Sequence, residues 1–156
     1  MSRQDTAAAK TVARVTGRRT TMTAAALELQ KAIFAQLMRS RALAGLMGEV
    51  RLYDQAPANA VFPYLTFGRT SAYDWSTDTE AGSEHLVTIH LWSKERGKSE
   101  CHALLEAVQT ELHDAALALD GHALVRLGME FVEIRYEDEH DVHHGLARLR
   151  ALIDAA

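Results

Sequence analysis

Every second residue from Gly145 to Ile153 is glycine, alanine or aliphatic (Gly145, Ala147, Leu149, Ala151, Ile153), alternating with His144, Leu146, Arg148, Arg150 and Leu152. A period of two puts each set on its own face of a β-strand. The segment "HLVTIHLWS" repeats the pattern, with His85, Val87, Ile89 and Leu91 on one face and Leu86, Thr88, His90 and Trp92 on the other. Between these segments the period changes. Cys101, Leu104, Leu105, Val108 and Leu112 recur at helical spacing and predict an amphipathic helix. Such a chain combines helices and strands around one core.

The remaining elements follow from local chemistry. Thr23 stands where an N-cap belongs, and "AAALELQKAIFAQLMRS" places Ala26, Leu27, Leu29, Ile33, Phe34, Leu37 and Met38 on one broad arc, predicting a first helix that ends near the glycines of "AGLMG". "EVRLYD" reads as a short strand, "QAPANAVFP" as a proline-set loop, and Pro63–Trp75 as a second strand. Asp120-Gly121 marks a hairpin turn, with a short strand entering and a long one leaving. In the long strand the apolar role passes from Val125, Leu127, Met129 and Phe131 to Val132, Ile134 and Tyr136. That change of phase predicts a bulge or bend near Phe131.

At 156 residues, 47% of them hydrophobic and 24% charged, the chain has the length and balance of one packed domain. Residues 1–22 read as a flexible basic arm and 23–156 as the single domain. Residues 1–21 carry five basic side chains against Asp5, a charge of +4, so with a net charge of −4 for the whole chain the remainder carries −8. The single cysteine cannot form an internal disulfide, which fits a cytosolic origin. Lys10 and Arg14 interrupt any apolar signal-peptide core, and no apolar run approaches the ~20 residues that cross a bilayer.

Chemistry is concentrated in "YEDEHDVHHG", four acids and three histidines between the last two strands. Its ligand types suit a metal or proton transfer, and a small metal-dependent enzyme built on Glu137–His144 is one reading. The spacing argues against it. His140, His143 and His144 lack a helical H-x-x-x-H arrangement, and on a strand His143 and His144 point to opposite faces. No phosphate-cradling glycine loop, nucleophile elbow or CxxC is present, so no catalytic residue, cofactor or metal is assigned. The acidic loop from Asp74 to Glu84 is the second notable feature. It carries Asp74, Asp78, Glu80 and Glu84 beside Tyr73 and Trp75, and reads either as a solvated hairpin or as an arm that inserts against a neighbouring subunit. Arg148 and Arg150 share a face with His144 and are expected to pair with acids such as Glu130 and Glu133 or with a partner.

The segments "YDQAP", "FPY", "DWSTDTEAGSEH", "HLWS" and "HDAALALDGH", in this order, resemble the tail completion, or tail terminator, proteins of long-tailed bacteriophages and phage-derived gene transfer agents. The resemblance spans about Thr23 to Ile153. It implies an α+β domain, two helices packed on a mainly antiparallel sheet of about five strands, and a structural virion protein without enzymatic activity. It further implies a ring, as a hexamer, at the head-proximal end of the tail tube. Such a ring stops tube polymerisation and meets the major tail tube protein and the head-completion, or stopper, protein of the neck. The expected location is the tail or neck of a virion or phage-like particle assembled in the bacterial cytoplasm, with DNA passing the channel without specific binding. A head-to-tail adaptor or a tail-assembly factor is the alternative. Ring formation requires two complementary patches per subunit. The candidates are Tyr73, Asp74, Trp75, Asp78, Glu80 and Glu84 for one, and Glu139, His140 and His143, with Arg148 and Arg150, for the other.

Overall fold

The computed structural model describes residues 22–155. The arm expected over residues 1–22 lies, Met22 apart, outside the described residues. Helix α1 covers residues 22–38, followed by α2 (Arg41–Met47), β1 (Leu52–Tyr53), β2 (Tyr64–Asp74), β3 (Gly82–Ser93), α3 (Ser99–Leu112), β4 (His122–Glu137) and β5 (Val142–Ala155). The strands form one sheet in the order β1-β2-β3-β5-β4, antiparallel except for the short parallel pair β1–β2. The α+β expectation and the helices-on-sheet layering hold.

The helices cover the face that carries Val87, Ile89 and Leu91 of β3 and Ala147, Leu149, Ala151 and Ile153 of β5, all of them buried. The stripe of α3 lies against this face, with Cys101, Leu104, Val108 and Leu112 fully buried. At its start, Ser93 Oγ donates to Glu100 Oε1 at 2.6 Å, which ties the end of β3 to the first turn of α3.

The first helical segment differs from its sequence reading in three ways. Met22 and Thr23 are already helical, so Thr23 is not the cap. The helix breaks at Ser40, whose hydroxyl accepts from Leu43 N–H at 3.1 Å and starts α2 as a separate helix. The buried stripe is narrower than the apolar arc: Ala25, Leu29, Ile33 and Leu37 are buried, whereas Leu27, Phe34 and Met38 remain exposed.

Turn chemistry came through with one change of scale. Gly121 has φ +75° beside Asp120, but the entering strand reduces to a single bridge between Leu119 and His122. The expected bulge is present as a register shift between Met129 and Phe131, and a second shift lies between Leu124 and Arg126.

Candidate assembly surfaces

The sheet face away from the helices is set by the parity that buries the core. Glu84, Leu86, Thr88, His90 and Trp92 of β3 share it with His144, Leu146, Arg148, Arg150 and Leu152 of β5. Its charges are largely matched within the subunit. Arg150 Nε donates to Glu84 Oε1 at 2.7 Å and lies 3.9 Å from Glu130 Oε1, while Arg135 stands 3.6 Å from Glu137. The hydrogen bond from Arg150 holds the Glu84 carboxyl below its ordinary range against a smaller opposing desolvation. Of the acids expected beside Arg150, Glu130 is there, but the shorter contact is with Glu84, which belongs to the other candidate patch. Arg148 lies over the Phe131 ring at 5.7 Å.

The β2–β3 hairpin is a closed structure. Trp75 N–H donates to Gly82 O at 3.1 Å and Thr77 N–H to Glu80 O at 2.8 Å. Asp74 Oδ1 accepts from Ser76 N–H at 2.9 Å, and Ser76 Oγ accepts from Gly82 N–H at 3.0 Å. The Trp75 indole lies so close to Gly82 that a Cβ there would meet Nε1 at 2.4 Å, so glycine is what lets the ring lie flat. Tyr73 and Trp75 stay 54% and 46% exposed on this hydrogen-bonded arm, and Asp78 and Glu80 are exposed at its tip. Exposed aromatics on a preorganised hairpin suit an interface, because ordering them costs little on contact.

At the opposite end of the sheet the β4–β5 turn is shorter than the sequence cluster. Glu139 and His140 are exposed at its tip, where Tyr136 OH donates to Asp141. That hydrogen bond is the main reason that the Tyr136 hydroxyl is pushed above its ordinary pKa. His143 and His144 are not part of the tip: β5 starts at Val142, and both rings are buried on opposite faces. His143 Nδ1 stands 3.1 Å from Glu95 O, and its ring is 5.1 Å from that of Tyr136.

His144 belongs to an arrangement that the sequence reading missed. It stacks on Trp92, with centroids 4.1 Å apart and planes 4° from parallel, and its Nδ1 lies 2.9 Å from Glu137 Oε1. Its Nε2 lies 2.6 Å from His90 Nδ1. The tautomers that satisfy the chain have His90 Nδ1–H donating to His144 Nε2 and His144 Nδ1–H donating to Glu137. The stack continues through Tyr64, 6.3 Å from Trp92, while Trp92 Nε1 donates to Thr66 Oγ1 at 3.2 Å. The signal was present: once Ile89 pairs with Ala147, Trp92 must pair with His144. The far nitrogen of His90 is packed on the Gly68 backbone, so this carboxylate–imidazole chain ends against protein. Among the described residues no three His, Cys, Asp or Glu side chains are grouped to hold a metal ion.

The geometry is therefore a helix-backed sheet with polar, hydrogen-bonded ends and patches of exposed apolar side chains. The family model for the tail completion protein gp17 matches residues 31–154. The chain belongs to the tail completion protein family. Membership makes it a structural protein of phage and phage-like tails. Among solved structures, a chain from the virion of a native gene transfer agent particle is 28% identical, with a TM-score of 0.75, over 81% of this chain and 95% of that one. The gp17 protein of bacteriophage SPP1, at 18% identity and a TM-score of 0.56, shares the fold over 81% of this chain and 89% of that one. Comparison with curated proteins gives no sequence match.

Proposed function

We propose that this tail completion protein is a tail terminator. In this reading, copies form a closed ring, a hexamer, at the head-proximal end of the tail tube, end tube polymerisation and join the tail to the head-completion protein of the neck. The observation that carries the reading is the distribution of exposed apolar side chains. Tyr73 and Trp75 lie on the arm, Phe131, Val132 and Tyr136 on β4, and Leu27, Phe34 and Met38 along α1. A free monomer gains nothing from several separated apolar patches, whereas a subunit that meets two neighbours and two axial partners needs them. The likeness to a chain of a gene transfer agent virion supports assembly into such a particle.

The reading needs no catalytic step, cofactor or metal. The internally paired Arg and Glu side chains of the free sheet face, and the charge of −8 on residues 22–156, suit a channel past which DNA moves without binding. The first patch keeps Tyr73, Trp75, Asp78 and Glu80 in this proposal. Glu139 and His140 remain in the second, with His143 beneath them as a packing residue.

Electron microscopy of particles from a producing strain with this reading frame deleted tests the function. Filled heads beside detached tails of overlong, uncontrolled length are expected. Intact particles of normal tail length would reject a terminator role, and tails of normal length that merely fail to join heads would favour the adaptor reading.

A further inference from the structure

The outer edges of the sheet are each closed over one half and open over the other, and the open halves lie diagonally across the subunit. On one side β1 pairs only with Leu65 and Thr66, so among the described residues nothing continues the sheet beside Arg69–Tyr73 of β2. On the other side the turn after α3 covers the first half of β4: Asp114 N–H donates to Leu127 O at 2.8 Å, and Met129 N–H donates to His113 Nδ1 at 3.1 Å. No such cover reaches Phe131–Glu137 among the described residues, and Phe131, Val132 and Tyr136 are about half exposed there. A long open edge is a template for another strand, and monomeric proteins blunt it. Here it is blunted over half its length only.

We propose that the occupant is a second copy: Phe131–Glu137 of one subunit pairs with Arg69–Tyr73 of the next and continues the sheet from subunit to subunit. This inference rests on the ring reading and names its contact. Three features favour a copy of this chain over an unrelated strand. The two open edges belong to opposite sides of one sheet, so a single repeated contact uses both. The directions agree, because β2 and β4 run oppositely within the sheet and similarly oriented neighbours would meet antiparallel. The stagger also fits closure. Through the pairings Ser71–Leu86, Leu91–Gly145 and Gly145–Ile134, the centres of the open halves are offset by about five residues, or ~16 Å at ~3.3 Å per residue. Against ~19 Å for the four strands from β2 to β4 at ~4.8 Å spacing, that offset corresponds to a strand tilt of about 40°, inside the range that sheets adopt when they close on themselves. Both caps, β1 and the His113–Asp114 turn, then lie past the ends of the neighbouring strands and do not obstruct the pairing.

Two measurements on the full chain test the contact. The first is hydrogen exchange on the unmodified protein, free and in purified particles, with at least tenfold slower exchange expected at 69–73 and 131–137 together. The second is disulfide trapping in particles carrying Ser71→Cys with either Glu133→Cys or Arg135→Cys. A ladder of crosslinked oligomers is expected for a double variant and none for the single ones. A ring visible in the particles with both segments exchanging as in the free chain, and without a ladder in either double variant, overturns the edge contact and leaves the ring reading standing. Particles in which this chain forms no ring at all overturn both.

Discussion

Nδ1 of His90 and Nε2 of His144 face each other at 2.6 Å across adjacent antiparallel strands, with Glu137 on the far side of His144. One proton joins two nitrogens there, so the contact exists only while one of the facing nitrogens is a free acceptor. Doubly charged rings would point two N–H groups at each other.

Burial first, then the charges of His144 and Arg135, hold the His90 pKa below its ordinary value, with Glu137 opposing them. Burial and then His122 do the same to His85, which is fully buried with Nε2 2.7 Å from Ser83 Oγ. A depressed histidine pKa means that the unfolded chain takes up the proton first as pH falls. Stability is therefore complete above the unfolded value of about 6.5 and declines below it, by at most ~1.4 kcal/mol per pH unit for each histidine. Urea midpoints measured from pH 7.5 to 5.5 should fall, and H90Q should remove part of the slope. A flat profile for the unmodified chain would contradict the arrangement.

Two glycines should separate packing from this histidine chain. A Cβ at Gly145 would lie 2.6 Å from Cγ and Cδ1 of the fully buried Leu91, so Gly145→Ala should cost about 1–3 kcal/mol by overpacking the core. At Gly68 the Cβ would meet the His90 ring, Nε2 at 2.2 Å, a side chain on the half-buried face that is able to swing away. Gly68→Ala should break the His90–His144 contact and reduce the pH dependence, leaving the part due to His85, whereas Gly145→Ala should lower stability at all pH values. Denaturant titrations of both variants at pH 7.5 and 5.5 distinguish these outcomes.

Cys101 should be silent to thiol reagents in the folded chain. It lies fully buried on the stripe of α3, and burial, followed by the nearby Glu100 and Glu95 charges, pushes its thiol up to about 11. Aromatic disulfide reagents at pH 8 should label less than a tenth of the native protein in the time that labels all of it in urea, since the thiolate is the reactive form. Rapid labelling of the native chain would show that α3 does not pack as described.

The strands with strict alternation were legible because one face is buried: β3 and β5 bury the sets that their sequence separates, and Cys101 to Leu112 bury the stripe that their spacing draws. The bulge at Met129–Phe131 was legible because a change of face leaves a trace in the apolar pattern. Four features were not. The division of the first helical segment falls at one residue, Ser40, in a run that helical periodicity reads through. The apolar arc of α1 overstated its core because Leu27 and Phe34 sit on a face that only tertiary placement leaves bare. The hairpin cluster misled for a related reason: composition joins His143 and His144 to the acids, but the strand begins at Val142 and takes both rings into the structure. Cross-strand partners such as Trp92 and His144 come from register, which a single segment does not contain.

Ser40 offers the most direct test of local chemistry. Ser40 is 3% exposed, and its side chain supplies the acceptor for Leu43 N–H at the start of a seven-residue helix that carries Leu43 and Met47 into the core. Removing the hydroxyl leaves a buried backbone donor without its partner, so Ser40→Ala should cost roughly 1 kcal/mol and up to ~2 kcal/mol. Ser40→Gly should cost only a few tenths, because a glycine at a cap leaves room for solvent to satisfy the helix end. Urea unfolding of the two variants against the parent chain measures the difference. Equal losses for alanine and glycine would mean that Ser40 acts through packing, and the break between α1 and α2 would then owe little to its hydroxyl.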